Sequence, residues 1–293
     1  MRSRLSHALL SVLATVLIGG FAAATLVRLA PGYGVDPGEL DPRLSSEAIQ
    51  KMRERSKPDG GLITYYVRYL ANAVRGELGF SEGFRRPAAE LIAERFPATA
   101  RAAGMGLACG WTLGLLAALV TVAVARPAFD LLAGAVTAFL LCLPSSVMAL
   151  IFVQGGHAGG EMVAGGILSL VIFPRVLRFA RGILGNIAGA PHVLQARAKG
   201  LSTLRIIWMH VLRPAMPQIL ALLGVSASVV FGAAIPVEVI CDSPGLGQLA
   251  WQAALKRDLP LLIDITLLVT ILTGLSGLAA EVIGVQPAVR DTA

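Results

Sequence analysis

Few residues in this chain have the type and spacing that chemistry requires. Ser145 and Ser146 adjoin an apolar run, and His157 sits in the stretch Gly155-Gly156-His157-Ala158-Gly159-Gly160. A serine with a base in hydrogen-bond reach inside a membrane would suit peptide-bond hydrolysis, but no GxSxG-type context surrounds either serine. Cys109, Cys142 and Cys241 lack CxxC or Cys/His spacing, so no metal site is expected. Two of them fall in apolar runs, where a thiol reads as a small buried hydrophobe. The phosphate-binding pattern GxxxxGK[ST] is absent, and Lys199-Gly200 has its two residues in the wrong order for it, so this chain alone is not expected to hydrolyse ATP. The remaining candidates are ionisable residues near the ends of apolar runs: Glu161, Arg175, Glu238 and Asp264. A charge within a span is a functional candidate, while interface snorkelling or helix capping is the competing account. Glu238 is the foremost of these, because it opens the segment that holds Pro244 and Gly245.

The elements around these residues are membrane helices. With 55% hydrophobic and 15% charged residues among 293, the chain is far more apolar than a soluble domain, in which about a quarter of residues are charged. The expected fold is an all-α polytopic membrane protein with five or six spans of roughly 20 residues each. Arg2, Arg4 and His7 precede the charge-free run 8–27, too long for a usual signal-peptide core although Ala22-Ala23-Ala24 resembles a cleavage site. Residues 30–97 are polar and hold ten acidic and ten basic residues. Within them, 45–55 reads as a short helix, Pro58-Asp59-Gly60-Gly61 as a turn, and 63–74 as a second helix. Tyr65, Tyr66 and Tyr69 suit either the lipid headgroup level or packing on a neighbouring helix. Further spans are expected over 102–125 after a kink at Pro97, over 131–154 through Pro144, from 162 to about 182, over 219–237, and over 261–280. Arg126 to Asp130 reads as a tight polar connection. Gly106, Gly110 and Gly114 recur at small-xxx-small spacing, which suits close helix packing.

Between Met162 and Val237 there are seven Arg or Lys and no Asp or Glu. The net charge of +7 therefore speaks for membrane orientation rather than nucleic acid: the positive-inside rule places loop 182–216 and both termini in the cytoplasm and 30–97 outside. Within that loop Pro191 suits a first helical turn, Gly200 a left-handed stop, and Ser202 the cap of a second helix over 203–212 before Pro214. About 30 residues exceed what a simple connection needs. Physics alone leaves two readings open: a docking surface, or a basic loop lying on anionic membrane lipid.

The run Leu194-Gln195-Ala196-Arg197-Ala198-Lys199-Gly200-Leu201-Ser202, followed by His210-Val211-Leu212-Arg213, resembles the EAA loop of binding-protein-dependent ABC transporter permeases, in the form found in the dipeptide/oligopeptide branch. Arg181 lies 19 residues before Gly200, as in that family. Arg75-Gly76-Glu77-Leu78-Gly79, Arg86-Pro87, the stretch 90–99, Glu238-Val239-Ile240, Ser243-Pro244-Gly245-Leu246-Gly247 and Arg257-Asp258-Leu259-Pro260 follow in the family's order.

The resemblance implies a type I ABC importer permease fold, with residues 1–94 forming a first helix and an extracytoplasmic segment and 95–293 the permease core. It further implies two ATPase subunits that bind ATP and Mg, a homologous second permease and an external solute-binding protein, with peptides as cargo and no cofactor in this chain. Gln195, Ala196 and Arg197 would line a coupling helix that enters a groove of the ATPase, Gly200 would make its bend, and Lys199, Leu201 and Arg205 would flank the contact. Leu194 stands where the founding motif has glutamate. Glu238, Pro244 and Gly245 would belong to the outer gate. Against the family pattern, the 30–37 stretch resembles a stretched form of the LPGDP motif, the 154–161 turn is short, and the C-terminus lacks the usual DPR-type ending. Two other classes compete. An ion-driven secondary transporter predicts inverted repeats and paired mid-membrane charges, neither evident here, and a membrane scaffold would use the basic loop to hold lipid.

Overall fold

The computed structural model describes residues 83–124, 126–156 and 159–284, with shorter stretches between 10 and 81. The expectations for 30–65, for His157 and for the C-terminal ending fall outside the described residues. The chain divides into two compact units, one built on Arg95–Leu249 and Ile271–Ala293, the other on Ala14–Glu94 and Ala250–Thr270.

A two-residue hairpin, β1 (Phe80–Ser81) with β2 (Arg86–Pro87), precedes eight helices among the described residues: α1 (Ala88–Val124), α2 (Pro127–Cys142), α3 (Ser145–Gln154), α4 (Glu161–Ala188), α5 (Pro191–Ala198), α6 (Thr203–Ile240), α7 (Leu246–Leu255) and α8 (Leu259–Gly284). Helices α1, α4, α6 and α8 are each long and apolar enough to cross a membrane, and α2 with α3 makes a fifth, bent candidate. Of the first span expected over 8–27, residues 17–22 are helical. Together these agree with about six spans.

Three boundaries differ from expectation. The 131–154 run is two helices meeting at 88°. Leu143 is extended (φ −84°, ψ 120°) because the ring of Pro144 disfavours helical backbone before it, and Pro144 then leads the next helix. Arg126–Asp130 is no loop. Pro127 occupies the first turn of α2, where its missing N–H costs nothing. The second short helix expected after Ser202 is instead the start of α6, which runs unbroken for 38 residues, with a π-helical segment over Ile206–Leu212 that leads into Pro214. Pro97 likewise lies inside the continuous α1 and Pro174 inside α4.

In the larger unit the glycine stripe of α1 sets the packing. A Cβ on Gly106, Gly110 or Gly114 would stand 2.5 Å from Leu168 Cβ, 2.5 Å from the Ser169 carbonyl oxygen or 2.8 Å from Val176 Cβ. α1 therefore lies directly on α4, as small residues allow where lipid offers no hydrophobic driving force. Gly110→Leu is expected to cost at least about 3 kcal/mol, since the obstructing atom is backbone and overpacking alone costs 1–3. Gly104, whose Cβ meets nothing within 4 Å, is the control. Thermal unfolding in detergent should show a large drop in Tm for Gly110→Leu and almost none for Gly104→Leu; equal shifts would refute the packing. α6 and α8 approach in the same way, a Cβ on Gly224 falling 2.7 Å from the Ser276 carbonyl oxygen.

The smaller unit is held by buried polar contacts. Tyr66 and Tyr69 are both buried, so of their two sequence readings helix packing holds. Tyr66 donates to the Leu17 carbonyl at 2.9 Å, and Tyr69 donates to Asp264 on α8. Asp258 caps the start of α8, accepting from Leu261 N–H at 3.3 Å while it also accepts from Ser81 and the Gly83 N–H of the hairpin. Lys256 closes the hairpin with its ammonium 3.6 Å from the Phe84 ring centre.

Candidate functional site

The basic loop folds as its local signals direct. Pro191 takes the first position of α5 and Gly200 turns the chain at φ +74°, a conformation open to glycine at no steric cost. Ser202 stands at the N-cap position of α6, but its side chain makes no cap bond. Because α4 continues to Ala188 and α6 begins at Thr203, only 189–202 lie between the two long helices.

The residues proposed for coupling divide by face. Val193 and Ala196 are buried, in the same core as Ile206 and Val211 of α6, so Ala196 belongs to the anchored side of α5. Leu194, Gln195, Arg197, Lys199, Gly200 and Arg205 are exposed, and Leu201 is half-buried. Leu194 and Trp208 are each 69% exposed, with Leu204 and Met209 also open. The last three were not singled out from the sequence, in which 203–212 reads only as a short second helix. α5 and the start of α6 therefore expose both large apolar side chains and cations. Upstream, Arg181 on α4 donates to the Asp130 carbonyl at 2.9 Å and to its carboxylate at 3.2 Å, fixing the start of α2.

A second cluster forms at the other end of α6. Glu238, expected to snorkel or cap, is 0% exposed. Its Oε2 accepts from the Gly247 N–H at 2.7 Å, so the carboxylate faces the first turn of α7, where helix N–H groups and the dipole favour an anion. Gly245 leaves room for it: a Cβ there would lie 2.3 Å from Oε2. Gly247 in turn lies directly on α6, its Cβ position 2.6 Å from the Ile235 backbone. Thr99 on α1 accepts from the Leu246 N–H at 2.8 Å, and the Ser243 N–H closes onto the Glu238 carbonyl at 2.9 Å. Pro244 is exposed at the crest of this turn.

The short connection to α4 seals one flank. Gly160 donates its N–H to the Cys241 carbonyl at 2.6 Å, and Arg101 forms a two-pronged ion pair with Glu161 at 2.5 and 2.9 Å. Of the charges considered from sequence, Glu161 is thus paired, Glu238 and Asp264 are buried, and Arg175 donates to the Val171 carbonyl one turn back. Burial pushes the Cys241 thiol up, while Cys109 and Cys142, read as buried hydrophobes, are exposed. No group of three His, Cys, Asp or Glu that could hold a metal occurs among the described residues.

α6 joins the two clusters, an exposed cationic-apolar knob at one end and a buried carboxylate at the other. Known proteins resemble this chain in sequence. Residues 110–285 match the family described as "Binding-protein-dependent transport system inner membrane component". The glutathione transport system permease protein GsiC of Escherichia coli O6:H1 is 25% identical over 96% of this chain and 97% of its own length. The oligopeptide transport system permease protein OppB of Escherichia coli K12 is 27% identical over 83% of this chain and 84% of its own. GsiC of Shigella flexneri serotype 5b is 27% identical over 96% of this chain. The chain accordingly belongs to the inner-membrane components of binding-protein-dependent transport systems, the permease subunits of ABC importers.

Proposed function

We propose that this permease imports di- or oligopeptides, and that the knob formed by α5 and the start of α6 receives the motion of a separate ATPase. The observation that carries this reading is that α5 and the start of α6, at the foot of an unbroken helix, expose apolar Leu194, Leu204 and Trp208 together with cationic Arg197, Lys199 and Arg205. Such a surface fits a groove with an apolar floor and an acidic rim, because apolar burial supplies affinity and charge complementarity fixes register. The positive-inside rule assigns this end, with both termini, to the cytoplasm, and the Glu238 cluster to the outside.

In this reading ATP and Mg bind to two ATPase subunits, which close together and draw on Leu194, Gln195, Arg197, Lys199, Gly200, Leu201 and Arg205. α6 carries the displacement to Glu238, which holds α7 through Gly247 and Gly245. Pro244 and its neighbours then open or close the external face toward a solute-binding protein. A homologous second permease completes the pathway, with residues 95–293 as the core of this half. The named substrates of the relatives, oligopeptides and glutathione, support peptides as cargo.

The experiment is to purify the chain with its native partners and reconstitute it. An ATPase should co-elute, and a peptide with its binding protein should raise ATP hydrolysis. If neither occurs, the assignment falls; if hydrolysis responds to another solute and not to peptides, only the cargo is wrong.

A further inference from the structure

α5 is a small element to carry force, since only Val193 and Ala196 of its eight residues are buried. Apolar contact between two side chains and their neighbours restrains the helix from leaving, but it does little to fix its angle, because hydrophobic burial is non-directional. A directional bond is present at the other end of the same helix. His192, at the second position of α5, places Nε2 3.1 Å from the carbonyl oxygen of His210. A carbonyl only accepts, so Nε2 carries the hydrogen.

The identity of that carbonyl matters. In an α-helix the carbonyl of residue 210 receives the N–H of residue 214, and residue 214 is proline, which has none. The backbone just before Pro214 is wound as a π-helix over Ile206–Leu212, the form that helices adopt where the regular ladder is interrupted and that recurs at functional positions. Pro214 thus withholds one hydrogen bond from α6, and His192 supplies a donor from α5. We propose that His192 is a positioning residue for coupling: its bond to the carbonyl left open by Pro214 sets the angle of α5 on α6, so that force applied to the knob displaces the long helix instead of rocking the short one. This rests on the coupling role of the loop given above.

The test uses the full transporter reconstituted in liposomes, with transport measured per ATP hydrolysed. His192→Phe keeps the ring's bulk and removes the donor; the ratio should fall about three- to tenfold, the range of one net hydrogen bond, with basal hydrolysis and ATPase co-elution unchanged. His192→Gln, which returns a donor at similar reach, should restore the ratio. Pro214→Ala gives α6 its own N–H for the His210 carbonyl. In that background His192→Phe should have no further effect. A ratio unmoved by His192→Phe, or an effect of the same size with and without Pro214→Ala, overturns the role of His192 while the coupling reading stands. Loss of ATPase co-elution in the unsubstituted protein would instead overturn the coupling reading itself.

Discussion

Gly245→Ala is expected to cut transport severely while the protein still inserts and still associates with its partners. The added Cβ lands 2.3–2.5 Å from the three terminal atoms of the Glu238 side chain, well inside van der Waals contact. At an exposed site a glutamate would swing aside. Here the side chain is 0% exposed and bonded to Gly247 N–H, so it can move only by breaking that bond. Leaving a buried hydrogen-bonding group without its partner costs about 1–3 kcal/mol, and the turn from Ser243 to Gly247 must shift as well. Transport should therefore fall by at least about tenfold, the equivalent of 1.4 kcal/mol. Because the obstacle is a side chain, shortening it should help: Gly245→Ala combined with Glu238→Ala is expected to transport better than Gly245→Ala alone. If the double variant is no better, the defect does not arise from the Glu238 contact.

Gly200→Val is expected to uncouple the transporter. The position has open space around it but holds φ +74°, so the obstacle is backbone conformation alone. A β-branched residue in the left-handed region costs on the order of 1–3 kcal/mol, and the chain relieves this by unwinding the end of α5 or redirecting Leu201 into α6. Either change displaces Lys199, the C-cap residue of α5, and Arg197 in its last turn. Asparagine tolerates the left-handed region, so Gly200→Asn should retain most activity. Reconstituted liposomes would show peptide uptake lost for Val and kept for Asn, with both variants present in the membrane in equal amounts. If the loop instead served only to hold anionic lipid, neither substitution would alter transport, and removing acidic lipid would.

Sequence alone resolves α5 well because its signals are local: proline fixes the first turn, and glycine permits the last. The glycine stripe of α1 was equally readable, since the spacing of Gly106, Gly110 and Gly114 already implies one helical face. Proline elsewhere was ambiguous. Pro97, Pro174 and Pro217 lie inside continuous helices, whereas Pro144 ends one. The local chemistry is the same, and surrounding contacts decide whether the lost bond is tolerated or the chain turns. For that reason the length of α6, with two prolines near its start, was not legible. The setting of Glu238 was hidden for another reason. Its partner is a backbone N–H nine residues ahead, brought near by a turn whose closeness depends on two absent side chains. Tyr69 and Asp264, 195 residues apart, carry no sequence signal of pairing at all.

An α-helix of 38 residues is about 57 Å long, nearly twice the roughly 30 Å of hydrocarbon that it crosses. α6 is thus a beam longer than the layer it crosses, and with the span at 219–237 most of the excess lies on the loop side. Turning it by about 10° around its midpoint carries each end about 5 Å in opposite directions, from half the length given by the 1.5 Å rise. A fulcrum placed off centre trades displacement at one end for force at the other. The close approach of α6 to α8 at Gly224 lies 21 residues from Thr203 and 16 from Ile240. With the pivot there, travel at the Glu238 end is about three quarters of that at the loop, with force raised in the inverse ratio.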